Sequence, residues 1–425
     1  EELTGKEEDI LDHWINGGSV SLTGLASETA DTADTLDTTA NIALAQGGVI
    51  DVSGGGYVGP DGVLSMDGGV PRGRGGDVTV QTHVMGSNFN YVVLGAQPDN
   101  LLGGQIDLGA TLIANGFAGG GTLTLHAPQI QIGGEPAPSP DASLLYLDPS
   151  MFSSLGFSRY DLVADTDATI APGTQITVKP RAMLADQTAL LGVASGASLL
   201  GPDGTGLVAT TGDVDAYIRY QHRNADDGLS IDAGVYRDWR GAELGGVTGT
   251  VSVGDGARVE VDPGDTIALN GATNVIVDGA LVAHGGHIAL HNLDPIALKT
   301  APANRSVWLG AGSVVDASGV SLLDPTAGVV PRDGTSDVPR RDGVVLGGGS
   351  VELYSDSDVV AEQGASVRVS GASDTYDIPA TGRRSGIEGA SYVATPVWSD
   401  AGSLDIQAGT GLYFDGAIDA HGGAA

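Results

Sequence analysis

Apolar and polar residues alternate along most of the chain in short runs of three to five residues. Examples are "GGDVTVQTHVMG" (75–86), "GTVSVGDGARVEVDPG" (249–264) and "GGSVELYSDSDVVAEQGASVRVSG" (348–371). Gly, Asn, Asp or Ser closes each run. Period-two alternation bounded by such residues is the pattern of strands and turns, and the 3.6-residue period of helices is nearly absent. Only "EEDILDHWI" (7–15) has helical spacing.

The runs repeat as larger units. "GDTIALNGATNVIVDGALVAHGG" (264–286) and "GSLDIQAGTGLYFDGAIDAHGG" (402–423) each hold about three strands. A period of about 20–25 residues with three strands predicts an all-β solenoid, because one such unit cannot bury its apolar side alone. Stacked strands about 4.8 Å apart would enclose an aliphatic interior, and about 14–18 coils would span roughly 70–90 Å. A sandwich fits less well, since it prefers longer strands and hairpins every 8–12 residues or so. The two Asp-Gly-Ala…Ala-His-Gly-Gly phrases then read as one corner written twice. His284 and His421 are expected before glycine corners of coils many layers apart.

Three sections are expected: coils with an acidic loop over 1–134, an insertion or decorated coils over 135–247, and coils with long surface loops over 248–425. Within the middle section glycine thins and aromatics gather. The stretches 322–343 and 374–400 read as surface loops, and 26–40 as an exposed loop or a partly disordered segment.

Composition narrows the function. The 425 residues include 68 Gly but no Gly-X-Y period, which excludes collagen. Aromatics make up only 5%, which suits a narrow interior. Net charge is −34, from 53 acidic and 19 basic residues. Nucleic acid and anionic membrane surfaces are therefore poor partners. No cysteine is present, so disulfides and thiolate metal sites play no part. No apolar run is long enough to insert in a membrane. The start lacks Met and a signal pattern, which points to an internal or processed piece of something larger.

Four phrases carry a family resemblance: "GGVIDVSGGG" (47–56), "LDPSMFSSLGFSRYDL" (147–162), "VWLGAGSVVDASG" (307–319) and "ATPVWSDAGSLDIQAGTGLYFDGAIDAHGGA" (394–424). The chain resembles filamentous-haemagglutinin-like large exoproteins of two-partner secretion, and the last phrase resembles their haemagglutinin-like C-terminal region. The resemblance implies a right-handed parallel β-helix with loop insertions, exported through an outer-membrane secretion partner. It implies a secreted or cell-surface location on a Gram-negative bacterium. The expected role is a non-catalytic adhesin segment in adhesion, aggregation or biofilm, meeting a host or bacterial surface glycan or protein, with lateral self-association of rods as a further partner. The alternatives are a β-helical polysaccharide-degrading enzyme and a stalk presenting a distant toxin module. The family's amino-terminal secretion domain is not visible in the sequence, and no catalytic residues carry over.

Several residues are candidates for chemistry in their own right. The group "YIRYQHR…YRDWR" (217–240) concentrates basic and aromatic side chains in a basic-poor chain. Tyr217, Arg219, Tyr220, Arg223, Tyr236, Trp239 and Arg240 would make a surface for a glycan or partner. The competing reading is packing, with the arginines pairing Asp226, Asp227, Asp232 and Asp238. "HGGHIALH" places His287 and His291 on one strand face, about 13 Å apart and too far to chelate one ion, while His284 could reach His287 across the corner. Asp356 with Asp358, Asp226 with Asp227 near Arg223, and Asp165 with Asp167 are carboxylate pairs of the kind glycan cleavage needs. No metal site and no cofactor are expected; the oxygen ligands of 224–228 and 165–168 suit at most an incidental Ca2+.

Overall fold

A computed structural model describes residues 16–28, 35–38, 41–57, 65–67, 70–85, 100–135, 144–180, 182–185, 209–212, 215–237, 243–246, 249–292, 305–332, 336–380 and 392–424. The segment 7–15 lies outside them. The described residues are mostly strand, with two short helices, Met151–Ser154 and Ala216–His222.

Three long parallel sheets organise the chain. The first contains nine parallel strands: Val20–Glu28, Val78–Met85, Thr122–Ala127, Arg159–Ala164, Gly228–Ala233, Thr266–Gly271, His287–Asn292, Ser350–Ser355 and Ser403–Ala408. The second runs from Leu144–Leu147 and Gln129–Ile132 to Gly411–Phe414, and the third from Gln175–Val178 to Ala417–Asp419. From Arg159 onward the chain visits the three sheets in the same order on every pass. Thr266–Gly271, Asn274–Val277 and Ala280–Val282 form one such rung. The next begins at His287, the register partner of Thr266.

Alternation along each strand decides what faces inward. Ile267 and Leu269 are buried, and their partners Leu229, Ile231, Ile288, Leu290, Val351 and Leu353 are buried with them. Like residues therefore stack in columns, and a single core cluster draws on all three sheets. Three large aromatics gather in this interior at one level. Phe152, Phe157 and Tyr160 are fully buried there, with ring centroids 4.8 and 6.1 Å apart, and the Tyr160 hydroxyl donates to the Met151 carbonyl at 2.9 Å. The helix Met151–Ser154 takes a strand's place in the third column here. Ala114 N–H donates to the Leu155 carbonyl and Lys179 N–H to the Phe152 carbonyl.

Among the described residues the first sheet has nine rungs, fewer than the expected 14–18, which gives about 40 Å along the stack instead of 70–90 Å. The cause is the chain consumed by excursions. Among the described residues only the pass from Thr266 to His287 is free of them; His287 to Ser350 and Ser350 to Ser403 are far longer. The excursions are themselves paired, contrary to the loops expected. Ser373–Pro379 and Tyr392–Trp398 make a long antiparallel hairpin. Within 322–343, Val329–Arg332 pairs with Ser336–Pro339 beyond a second antiparallel pair, Ser321–Leu323 with Gly343–Val345. In 26–40, Thr35–Thr38 pairs both with the first strand and with Asn100–Gly103. Polar, Pro-rich stretches form strands here because hairpins need only local backbone pairing.

The last rung is less covered than those before it. Leu412 and Ile418 are each 52% exposed, whereas their register partners Val359 and Val367 are fully buried. Among the described residues no helix is long and apolar enough to cross a membrane.

Close stacking makes corner positions intolerant. A Cβ on Gly349 would lie 1.9 Å from the Gly286 carbonyl oxygen, and one on Gly402 1.7 Å from that of Gly349. Gly349→Ala is expected to lower the melting temperature as strongly as a core cavity. Leu269→Ala, the reference, should cost about 2–5 kcal/mol in urea unfolding. A Gly349→Ala protein as stable as the parent would contradict this packing.

Candidate functional site

The most unusual side-chain chemistry gathers under the helix Ala216–His222. Asp215 caps that helix, its carboxylate accepting the Tyr217 N–H at 2.8 Å, and Arg219 and His222 occupy the last turn, where the helix dipole favours cations. The chain then turns through "NADDG" into Gly228–Ala233. The Asp227 carboxylate accepts the Asn224 N–H at 2.8 Å and closes this turn. Gly228 has φ 127°, a backbone that L side chains rarely adopt.

Register builds the acidic half of the site. Gly228 pairs with Thr266, so the residues before them, Asp227 and Asp265, occupy the same corner of consecutive rungs. Thr266 N–H donates to the Asp227 carbonyl at 2.9 Å. Asp262 lies at the turn just before, where Asp265 N–H donates to its carbonyl. All three carboxylates are buried.

Arginines from two directions meet them. Arg219 grips Asp262 with two bonds of 2.6 and 2.8 Å, and Arg74 reaches Asp227 at 2.7 Å. Arg223 lies over the Tyr220 ring at 4.6 Å and against Gly264, where any Cβ would meet its Nε at 2.4 Å. Asp265 is 2% exposed, and its Oδ1 has no hydrogen-bond partner. Burial first, and then the charges of Asp227 and Asp262, push its carboxyl well above the usual range, against the pull of Arg223 and Arg219. The space these groups enclose is about 20 Å3, room for a water and not for a sugar ring.

The sequence candidates are distributed as follows. Tyr217, Arg219, Tyr220 and Arg223 share the helix region, half-buried, and the two arginines turn toward the acidic corner. The described pairings are these. Arg219 takes Asp262; Asp227 takes Arg74; Asp226 offers its carbonyl to Arg159; Asp232 accepts from Asn270. Tyr236 lies in Val235–Arg237, paired antiparallel with Glu243–Gly246. Trp239, Arg240 and Asp238 lie outside the described residues. Arg74, Asp262 and Asp265 were missed. The signal for Asp265 was the shared Asp before "GLSIDA" and "TIALNG", visible once the strands are aligned by rung; Arg74 and Asp262 carried none.

Asp165 and Asp167 do not share a face. They lie in a turn, Asp165 buried against His126 at 2.8 Å and Asp167 exposed, accepting the Thr250 N–H. Asp356 lies in the turn before Asp358–Ala361, 3.5 Å from Arg305. His287 and His291 do point outward, with Glu352 of the neighbouring strand between them at 4.0 and 3.4 Å. His291 stacks on Tyr354, and burial lowers its pKa. His284 does not meet His287; its Nδ1 lies 3.2 Å from the Ser318 carbonyl. Among the described residues no group of three or more His, Asp or Glu gathers to hold a metal.

The twin phrases occupy one corner column. Gly264, Gly285, Gly319 and Gly371 donate in turn to the carbonyls of His284, Ser318, Ser370 and His421. The histidines are therefore three rungs apart, not many. Between them Asp316, Arg368 and Asp419 are register neighbours, with Arg368 3.6 Å from Asp316.

No protein-family model, curated protein or solved structure matches the chain.

Two outcomes test this geometry. A raised carboxyl pKa means the folded state holds its proton to higher pH than the unfolded chain. Asp265 thus contributes stability below its ordinary pKa of 3.8, and this is lost as pH rises through the folded value. Asp265→Asn, which mimics the protonated acid, should melt above the parent at neutral pH, and the gap should close as pH falls toward 4. A gap independent of pH would refute the assignment. His126→Ala removes the buried 2.8 Å bond to Asp165 and should cost about 1–3 kcal/mol in chemical unfolding.

Proposed function

We propose that the chain is a non-catalytic structural and adhesive segment of a secreted, cell-surface filamentous exoprotein, built as a right-handed parallel β-helix. The observation that carries this reading is the stack itself: three parallel columns in register around one aliphatic core, with the excursions projecting as paired hairpins. Such a stack grows by adding rungs and needs no convergent cleft, which suits a spacer that presents surface. The acidity keeps so large a surface soluble and repels like chains. The small enclosed volume at the buried carboxylates supports a packing role there over glycan cleavage. By this reading the partner is a surface glycan or protein, and Tyr217 and Tyr220 offer their rings at the half-buried helix.

The test uses the whole chain immobilised on beads. Retention on bacterial or epithelial cells is expected, with no release of reducing ends or unsaturated uronides from acidic polysaccharides. Tyr217→Ala with Tyr220→Ala should reduce retention several-fold at unchanged melting temperature. Turnover of a polysaccharide abolished by Asp227→Asn or Asp356→Asn would overturn the reading in favour of an enzyme.

A further inference from the structure

The second sheet is interrupted at one level. Ile106–Leu108 pairs with Ile42–Leu44 on one side only, and Leu144–Leu147 pairs with Gln129–Ile132 on one side only. Their other edges line one groove of about 420 Å3 and pair with no described strand. The third column is bridged at this level by the helix Met151–Ser154 and its following turn. The gap is therefore local to the second column.

Register identifies the backbone groups that face the groove. In a parallel pair, the N–H and C=O of one residue point to one neighbour and those of the next residue to the other side. Ile42 N–H donates to the Gln105 carbonyl, so Gln105 and Asp107 turn toward Ile42–Leu44. Ile106 and Leu108 then turn their backbone groups into the groove. Gly133 N–H donates to the Leu147 carbonyl, so Leu145 and Leu147 turn toward Gln129–Ile132. Leu144 and Tyr146 then face the groove. Two strand edges thus confront one space with donors and acceptors on both sides. Leu112, Leu145, Met151 and Leu155 give it apolar walls. Asp107 and Asp148, both exposed, add negative charge, and among the described residues no Lys or Arg lines it.

We propose that this groove takes an extended peptide from a partner protein as an added strand, apolar at alternate positions and basic at its flanks. Edge pairing on both sides recognises backbone, the apolar walls take every second side chain, and the two carboxylates favour Lys or Arg at the ends. A second copy of this chain fits less well, since it would bring a net charge of −34 to an acidic groove. The inference stands apart from the adhesive reading above, because it rests on backbone geometry at another place.

The experiment uses the intact chain and a fluorescent peptide, KVTVTVK, read by anisotropy. Saturable binding is expected, absent for the peptide N-methylated at alternate residues and weakened by glutamate flanks. Tyr146→Pro removes a groove-facing N–H without touching the bonds to Gln129–Ile132, and should weaken binding about tenfold, as the loss of one or two such bonds implies. Asp107→Lys, an exposed change that leaves the backbone intact, should weaken it similarly and decides the matter if Tyr146→Pro melts early. No saturable binding up to about 1 mM, near the weak end of specific affinities, would overturn the proposal. So would equal binding of the N-methylated peptide, which would mark an apolar pocket only. A dimer of the chain abolished by Tyr146→Pro, with no peptide binding, would give the groove to a second copy instead.

Discussion

In-register parallel pairing between successive rungs is the constraint on which the molecule depends. Once Thr266 faces His287 and His287 faces Ser350, every inward residue stands on an inward residue below it. Columns of Ile, Leu and Val follow, because a one-residue slip would turn the whole apolar set outward. The same pairing sets how closely corners approach. Gly286, Gly349 and Gly402 follow one another where each backbone touches the carbonyl beneath it.

Stacking also brings chemistry together without regard to sequence distance. Asp227 and Asp265 are superimposed because they precede paired residues, and a buried pair of like charges is costly unless compensated. Arg219 on the helix and Arg223 just after it, with Arg74 from an earlier rung, supply the compensation. One carboxylate, Asp265, remains the least satisfied of the group, and its raised pKa is the electrostatic mark of that compromise. The basic-aromatic cluster is thus in part a counterweight to the acidic corner.

The corner column from His284 to His421 shows the same principle at the surface. What reads as a repeated motif is a backbone position that successive rungs share, filled twice by His and twice by Ser. Its side chains are free to vary, because the bonds that hold the corner run between carbonyls and glycine N–H groups.

Much of the strand content was legible, because period-two alternation between Gly-rich corners is a local signal and burial follows it strand by strand, as at Thr266–Gly271. The outward direction of His287 and His291 was legible for the same reason. The number of rungs was not, since 322–343 and 374–400 form hairpins outside the stack and local pattern does not separate a hairpin strand from a stacked one. Nor could sequence show that Asp262 meets Arg219 or that Arg74 meets Asp227, because partners across the stack are chosen by register between segments tens to hundreds of residues apart. By itself the sequence determined an all-β chain with aliphatic inward positions and tight glycine corners. Only the tertiary structure decided which rung stands on which, and with it the buried acidic corner and the open strand edges at Ile106–Leu108 and Leu144–Leu147. Alternation is a property of neighbours along the chain, whereas stacking is a property of neighbours in space.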